Sequence, residues 1–292
     1  MQTVIQSIAE GLAYGGLYTL LGLGFHLTYG VMRRIDLAYG TVVMGSVYLA
    51  AMLANSLGLP WYAMVPLSVM IGVPLALLVA WIAFVLVRGD ARFSMAATLG
   101  IWMAIEELLL QSPARGRGQP IDNPASQVVL SFAGLDLRLD HMVLFALGLS
   151  CALGLRRILT KSQIGLAIRV SAFDSSTAAL LGMSHRRTML VATALAAVIG
   201  SCAGWAFGAS QTGMDLHFGM WATLKGLVIL SLAGTGSIAA VVFAGLALGV
   251  GERLATEMAG DGYRDLFVFA LMFAMLSARS FLPGNDYGQK TA

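Results

Sequence analysis

Four ionisable residues in or beside long apolar segments are the side chains of this sequence that could bind or move an ion: Asp36, Glu106, Glu107 and Lys225. Ionisable groups at membrane depth commonly mark a pathway for a substrate or a coupling ion. Asp36, however, follows two arginines, which favours a position at the membrane surface. The glutamates lie near one end of their apolar segment, which favours an exposed position. A carrier driven by a proton or sodium gradient would bury more such groups, so these residues do not define one.

The sequence contains no motif for catalysis, nucleotide binding or metal binding. A phosphate-binding G-x-x-x-x-G-K-[ST] loop is missing, because the glycine-rich stretch from Gly234 to Ser237 lacks the lysine. The four histidines are scattered, and both cysteines lie in apolar segments, where cysteine is usually a packing residue. We therefore expect no catalytic residue, no metal site and no cofactor in this chain.

The composition is that of a membrane protein. Hydrophobic residues make up 58% of the 292 residues, charged residues only 11%, and the mean hydropathy is +0.80. A soluble domain has about 25% charged residues. The apolar segments are continuous and near the roughly 20 residues that a helix needs to cross a bilayer, so helices are expected. We predict an all-α polytopic membrane protein with one transmembrane domain over residues 1–292.

The apolar segments predict about eight spans, at least one of them broken by glycine. The region Trp221–Gly251 is either one tilted span or two short segments interrupted at Ala233–Ser237. The predicted spans are Leu12–Tyr29, Tyr39–Ser56, Tyr62–Val87, Phe93–Leu110, His141–Ile158, Thr188–Ala209, Trp221–Gly251 and Leu266–Phe281.

The basic residues predict the orientation, because loops rich in Lys and Arg normally stay in the cytoplasm. An N-terminus on the outside places most of them on the cytoplasmic side and leaves few in the outer loops before residue 210. The net charge of +3 reflects these loops and gives no indication of nucleic-acid binding. The residues expected in the cytoplasm are Arg33, Arg34, Arg88, Arg92, Arg156, Arg157, Lys161, Arg169, Arg186 and Arg187.

Two loops carry further local signals. In the basic loop over about residues 160–187, Asp174 suits a helix N-cap and Gly182 a helix C-cap, which predicts two short helices. Such a loop is either an ordinary amphipathic connector or a contact surface. In the outer loop over about residues 111–140, partly alternating residues around Gly134 predict a hairpin.

Small residues recur at four-residue spacing along three of the predicted spans. Such spacing lets membrane helices approach closely, within one chain or between subunits. The repeated glycines are Gly200, Gly204 and Gly208, Gly11 with Gly15, and Gly245 with Gly249.

Taken in order, several segments resemble the permeases of branched-chain amino-acid-type ABC importers. Tyr14–Gly45 is similar to the first signature of that family, Gly165–Met183 to its ATPase-contact segment, and Lys225–Gly249 to its Gly-x-Gly-Ser-Ile segment. Tyr263–Asp265 opens a last span that ends in Phe281–Gly284, a shortened form of the usual ending. The resemblance covers nearly the whole chain.

The resemblance implies two groups of functional residues. A helix pair would couple the chain to the ATPase, with Arg169 and Asp174 orienting the loop by an ion pair or a cap. Small, glycine-broken segments would border a hydrated translocation path. The coupling residues would be Gly165, Arg169, Asp174, Ala178, Ala179 and Gly182. The path residues would be Asp36, Ala38, Tyr39, Gly40, Gly234, Gly236 and Ser237.

The chain departs from the family pattern in the first of the path segments. Most members read Asn-Phe-Ala-His-Gly, whereas this sequence reads Asp36-Leu37-Ala38-Tyr39-Gly40. A carboxylate replaces an amide and a phenol replaces an imidazole, which changes charge and hydrogen-bond donors. The departure concerns the substrate more than the fold.

The resemblance also implies a set of partners in a bacterial-type plasma membrane. These are two cytoplasmic ABC ATPases that use the ATP, a second permease subunit and a soluble substrate-binding protein outside. The expected substrate is a branched-chain or related amino acid, with urea or a short amide as the alternative. A gradient-driven carrier or channel, dependent on Asp36 or Glu106, and a membrane scaffold are the competing classes.

Overall fold

The computed structural model describes residues 2–87, 91–113, 115–121, 123–132, 135–211, 213–234 and 236–281. The helices are α1 (Gln2–Met32), α2 (Tyr39–Leu57), α3 (Met64–Ala80) with a π-helical extension (Trp81–Leu86), α4 (Ala91–Leu110), α5 (Leu139–Lys161), α6 (Gln163–Phe173), α7 (Ser175–Leu180), α8 (His185–Ser210), α9 (Phe218–Ala233), α10 (Ile238–Ala259) and α11 (Arg264–Phe281). The strands are β1 (Gln119–Pro120), β2 (Val129–Phe132), β3 (Leu135–Arg138) and β4 (Gly213–Met214), and short 3₁₀ turns cover Trp61–Ala63, Pro124–Gln127 and Asp261–Tyr263.

The helices confirm the all-α membrane fold. Within the described residues, six helical segments are long and apolar enough to cross a membrane. The region Trp221–Gly251 is two helices, so its single-span alternative is wrong. Gly234 ends α9 with a φ of +69°, a left-handed conformation that glycine adopts without strain. The expected Leu282-Pro283-Gly284 ending lies outside the described residues.

Helix α1 forms the centre of the bundle. It packs against α5, α8, α9 and α10. Leu17, Tyr18, Leu20 and Leu21 are all at most 1% exposed, so apolar side chains of α1 are buried on successive positions around its axis. A helix that is apolar on all sides belongs in the interior of a larger assembly of helices.

Glycines allow α1 and α10 to touch through their backbones. A Cβ added at Gly11 would lie 2.7 Å from the Cα of Val250, and one added at Gly15 would lie 2.7 Å from the Cα of Leu246. A Cβ added at Gly249 would lie 2.6 Å from the Cα of Gly15. The predicted close approach of helices with glycine repeats is therefore confirmed within this chain.

The two ends of the bundle are identified by α5. Strands β2 and β3 pair antiparallel, Val129 with Arg138, immediately before α5, and α6 and α7 follow its other end. We call the end of the bundle beside β2 and β3 the hairpin end, and the end beside α6 and α7 the loop end. The predicted hairpin is confirmed, although its expected turn at Gly134 lies outside the described residues. At the hairpin end, β1 also pairs with β4, Gln119 with Met214.

Candidate functional site

The coupling loop, defined as residues 160–187, begins with a sharp turn from α5 into α6. The Ser162 hydroxyl accepts a hydrogen bond from the Gly165 N–H at 2.9 Å and so caps α6. A Cβ at Gly165 would lie 2.4 Å from the Cα of Leu159. Glycine is therefore required here because α6 folds back closely against the end of α5.

Asp174 separates α6 from α7 and caps α7. Its carboxylate accepts hydrogen bonds from the Ser176 N–H at 2.9 Å, the Ser176 hydroxyl at 2.6 Å and the Thr177 hydroxyl at 2.5 Å. These hydrogen bonds lower the pKa of Asp174 to about 2, and the bond from the Ser176 hydroxyl has the largest effect. The predicted N-cap is confirmed, and it carries a negative charge at the start of the helix.

Gly182 ends α7 in the left-handed conformation, with a φ of +76°. Its N–H donates to the Ala179 carbonyl at 3.0 Å, and the Met183 N–H donates to the Ala178 carbonyl at 2.9 Å. This pair of bonds is a Schellman motif, which places glycine at the position after the cap. The predicted C-cap is confirmed.

The coupling loop exposes apolar side chains at the loop end. Phe173 is 92% exposed, Leu180 88% and Leu181 63%, while Ala178 between them is fully buried. Arg169 is also exposed and forms no ion pair with Asp174 or any other described residue. Of the two expected ways of orienting the loop, only the Asp174 cap is present.

Arg33 joins the coupling loop to the central helix. One guanidinium nitrogen, Nη2, donates to the Ala172 carbonyl on α6 at 2.5 Å. Arg33 ends α1 in the left-handed region, with a φ of 52°, and its N–H donates to the Tyr29 carbonyl at 2.8 Å. A non-glycine residue held there is strained, so the surrounding contacts must fix it. The Arg33 hydrogen bond therefore connects α6 to the end of α1.

The chain after Arg33 turns back into the bundle without regular structure. Residues 33–38 lead to α2, whose first residue, Tyr39, lies well inside the protein. The Tyr39 hydroxyl donates to the Ala196 carbonyl at 3.3 Å, about three turns into α8. A Cβ at Gly24, about two turns before the end of α1, would collide with the same hydroxyl. We call residues 33–38 the helix break.

Side chains satisfy the backbone of the helix break. The Leu37 N–H donates to the Thr98 hydroxyl at 3.2 Å, and the Thr223 hydroxyl donates to the Leu37 carbonyl at 3.4 Å. The Asp36 carboxylate accepts from the Ala38 N–H at 3.0 Å. Irregular backbone at membrane depth is tolerated only when such partners replace water. Asp36 is 5% exposed, so its carboxylate is buried within the protein, while its expected position at the level of the membrane surface stays a prediction.

The candidate path residues fall into two separate places. Asp36, Ala38, Tyr39 and Gly40 are buried inside the chain, where Gly40 packs against Gly219 and Thr223 of α9. Tyr39 and Gly40 are already part of α2, so the helix is interrupted only before them. Gly236 and Ser237, in contrast, border a cavity at the loop end, next to the turn that begins at Gly234.

A buried ion pair between α9 and α10 is the feature that the sequence analysis missed. Lys225 Nζ lies 2.6 Å from a carboxylate oxygen of Glu252, and their side chains are 3% and 4% exposed. The same Nζ lies 5.3 Å from the ring centres of Tyr18 and Trp221. Glu252, an acidic residue in the apolar helix α10, was the feature of the sequence that could have indicated a buried partner for Lys225.

Of the two glutamates singled out in the sequence, only Glu107 has the expected exposure. Glu106 is half-buried and Glu107 exposed, both toward the hairpin end of α4. Glu107 accepts a hydrogen bond from Gln111 at 3.0 Å. No cluster of His, Cys, Asp and Glu with the geometry of a metal site occurs among the described residues.

The described residues form a multi-pass bundle of membrane-type helices with two short, capped helices at one end. A solved ABC transporter of metal-chelate type, in an inward-facing conformation, superposes with a TM-score of 0.53 at 14% identity, covering 95% of this chain and 86% of that one. This similarity establishes the fold alone.

The chain belongs to the family described as branched-chain amino acid transport system / permease component, which it matches over residues 7–276. It is 26% identical to the high-affinity branched-chain amino acid transport system permease protein BraD of Pseudomonas aeruginosa, over 94% of both chains. It is also 26% identical to the permease protein LivH of Escherichia coli, over 93% of this chain and 92% of LivH. These relatives are permeases and not enzymes.

Proposed function

We propose that this chain is the membrane subunit of an ATP-driven importer and that its coupling loop transmits the movement of an ATPase. The observation that carries the proposal is the loop itself. Both of its helices are capped, and Phe173, Leu180 and Leu181 expose apolar surface at the polar end of a membrane bundle. Exposed apolar surface in that position fits a protein partner. The hydrogen bond from Arg33 to α6 supplies the connection to the bundle.

The partners follow from the family. Two cytoplasmic ATPases would hydrolyse ATP, a second permease subunit would complete the membrane part, and a soluble binding protein would deliver the substrate. Closure of the ATPases would favour one of two packings of the bundle, which gives alternating access. This chain would contribute no nucleotide site and no cofactor of its own.

Orientation and membrane assignment belong to the same proposal. The chain would lie in a bacterial-type plasma membrane with its N-terminus outside, since this puts the basic loop end in the cytoplasm. The β2–β3 hairpin would then lie on the outer face, near the docked binding protein. Deletion of residues 129–138 should weaken substrate delivery by the binding protein, and unchanged delivery would contradict the docking role.

The substrate is proposed to be a branched-chain or related amino acid, in line with the names of the relatives. Asp36 uses a carboxylate oxygen to accept the Ala38 N–H, as an asparagine amide oxygen could also do. Tyr39 fills space against Gly24 and Gly200. The contacts of both residues are within the chain, at the helix break and at the start of α2, and selectivity is assigned to the binding protein. Urea or a short amide is the alternative substrate.

The test combines partner capture with transport. The tagged chain, purified from native membranes in mild detergent, should bring down an ABC ATPase and a second permease. Reconstituted with its binding protein, the complex should take up leucine but not urea, and only with ATP. Uptake without any ATPase, driven by an ion gradient, would overturn the proposal in favour of a secondary carrier.

A matched pair of leucine variants tests the coupling surface. Leu180→Ser should reduce recovery of the ATPase and substrate-stimulated ATP hydrolysis, because it removes apolar surface from α7. Leu57→Ser is the control, since Leu57 is 68% exposed but lies at the hairpin end of α2. Equal effects of the two substitutions would contradict the assignment of the loop to the ATPase.

A further inference from the structure

A basic cavity opens at the loop end, between the coupling loop and the α9–α10 turn. Its volume is about 590 Å³. Arg33 after the end of α1, Arg156 from α5 and Arg169 from α6 contribute three basic residues to its lining. Gly236 and Ser237 form part of the opposite side.

The positive charge of this cavity is not compensated within the described part of the chain. No described residue that lines the cavity is acidic. Arg33 donates to the Ala172 carbonyl, whereas the side chains of Arg156 and Arg169 have neither an ion pair nor a hydrogen bond with any described residue. Guanidinium groups gathered around one space are the preferred protein ligands of phosphate. The chemistry of the cavity therefore calls for an anion.

The remaining lining residues favour an anion that also carries apolar groups over a free phosphate ion. Leu27, Leu159, Ile168 and Ile238 form apolar walls beside the arginines. The cavity also lies where α1 and α5 end, which is the level expected for lipid headgroups at the end of a membrane bundle. Basic pockets between membrane helices at this level are suited to anionic lipids.

We propose that this cavity binds the phosphate headgroup of an anionic phospholipid, with Arg156 and Arg169 as its main ligands and the apolar walls holding the start of the acyl chains. A lipid there touches α6 and the α9–α10 turn at once. It therefore sets the spacing between the coupling loop and Gly236–Ser237, and acts as a structural component of the coupling region.

The test measures lipid binding directly and needs no transport reaction, so its failure is distinct from failure of the proposed function. The full-length chain, with the subunits that co-purify, is exchanged into mild detergent and titrated with phosphatidylglycerol, phosphatidylcholine or glycerol 3-phosphate. Native mass spectrometry counts the adducts. We expect phosphatidylglycerol to bind at least tenfold more tightly than phosphatidylcholine, since each charge-assisted hydrogen bond contributes about this factor.

The matched variants are neighbours on α5. Arg156→Gln should weaken phosphatidylglycerol binding by about tenfold. Arg157→Gln removes the same charge from an exposed residue outside the cavity lining and should leave binding unchanged. Equal binding of the two lipids, or equal effects of the two substitutions, would overturn the proposal. Glycerol 3-phosphate binding as tightly as the lipid would show a site for soluble phosphate compounds instead, and loss of the adduct when the ATPase is bound would show that the ATPase fills the cavity.

Discussion

The buried Lys225–Glu252 pair gives the sharpest prediction for stability. Both side chains are almost fully buried and 2.6 Å apart, so removal of one charge breaks this ion pair and leaves the other charge in a low-dielectric interior. Breaking a buried ion pair in this way typically costs about 3–5 kcal/mol. The rings of Tyr18 and Trp221, each 5.3 Å from Nζ, remain as partners for the lysine at about 0.5–2 kcal/mol each. We therefore expect Glu252→Gln to destabilise the folded chain by about 3 kcal/mol.

The assay is a double-mutant cycle on the purified chain in mild detergent. Thermal stability is followed by fluorescence-detected size-exclusion chromatography for Lys225→Met, for Glu252→Met and for the double variant that combines them, with Glu252→Gln measured as a separate single variant. The single variants should lose stability, and the double variant should recover most of it, because replacement of both charges by apolar groups removes the desolvation penalty. Wild-type stability in either single variant, or additive losses in the double variant, would refute the reasoning.

Three further predictions concern packing, the helix break and the loop. Gly148→Ala should destabilise the bundle by about 1–3 kcal/mol, because its Cβ would lie 2.5 Å from the Gly16 carbonyl oxygen. The control is Gly154→Ala on the same helix, which has open space around it and should be neutral. A thermal-shift comparison of the two variants checks this prediction. Thr223→Val should cost about 1–3 kcal/mol in the same assay by leaving buried backbone groups unpaired, whereas Thr223→Ser should retain stability. Asp174→Ala should uncouple ATP hydrolysis from transport, whereas Asp174→Asn should retain coupling. Because the pKa of Asp174 is lowered from 3.8 to about 2, its carboxylate should stay charged until the pH falls towards about 2, which NMR titration of the carboxylate measures.

Features set by neighbouring residues were predictable from the sequence. Asp174 and Gly182 cap α7 as expected because their hydrogen bonds join groups within five residues along the chain. The long apolar segments predicted membrane helices for the same reason, since helix length and hydropathy are local properties, although six helical segments of the described residues, and not eight, are long and apolar enough to be spans. The hairpin of β2 and β3 also depends on residues close in sequence.

Features set by contacts between distant segments were not predictable. The arginine neighbours of Asp36 gave no indication that Thr98 and Thr223, from two other helices, would contact the backbone beside it. The partner of Lys225 lies on the next helix, and its identity depends on how α9 and α10 align. Arg169 likewise faces a cavity formed by four separate elements, which no local pattern indicates.

The glycine contact between α1 and α10 has a consequence for how the protein can move. Side chains between two helices can change rotamer and so accommodate sliding, but Gly11 and Gly15 bring one backbone directly against the other. Without such adjustable groups, the two helices keep a fixed separation and behave as a rigid spine through the molecule. Conformational change in the transport cycle must then occur around this spine, by displacement of α2, α8 and the coupling loop relative to it.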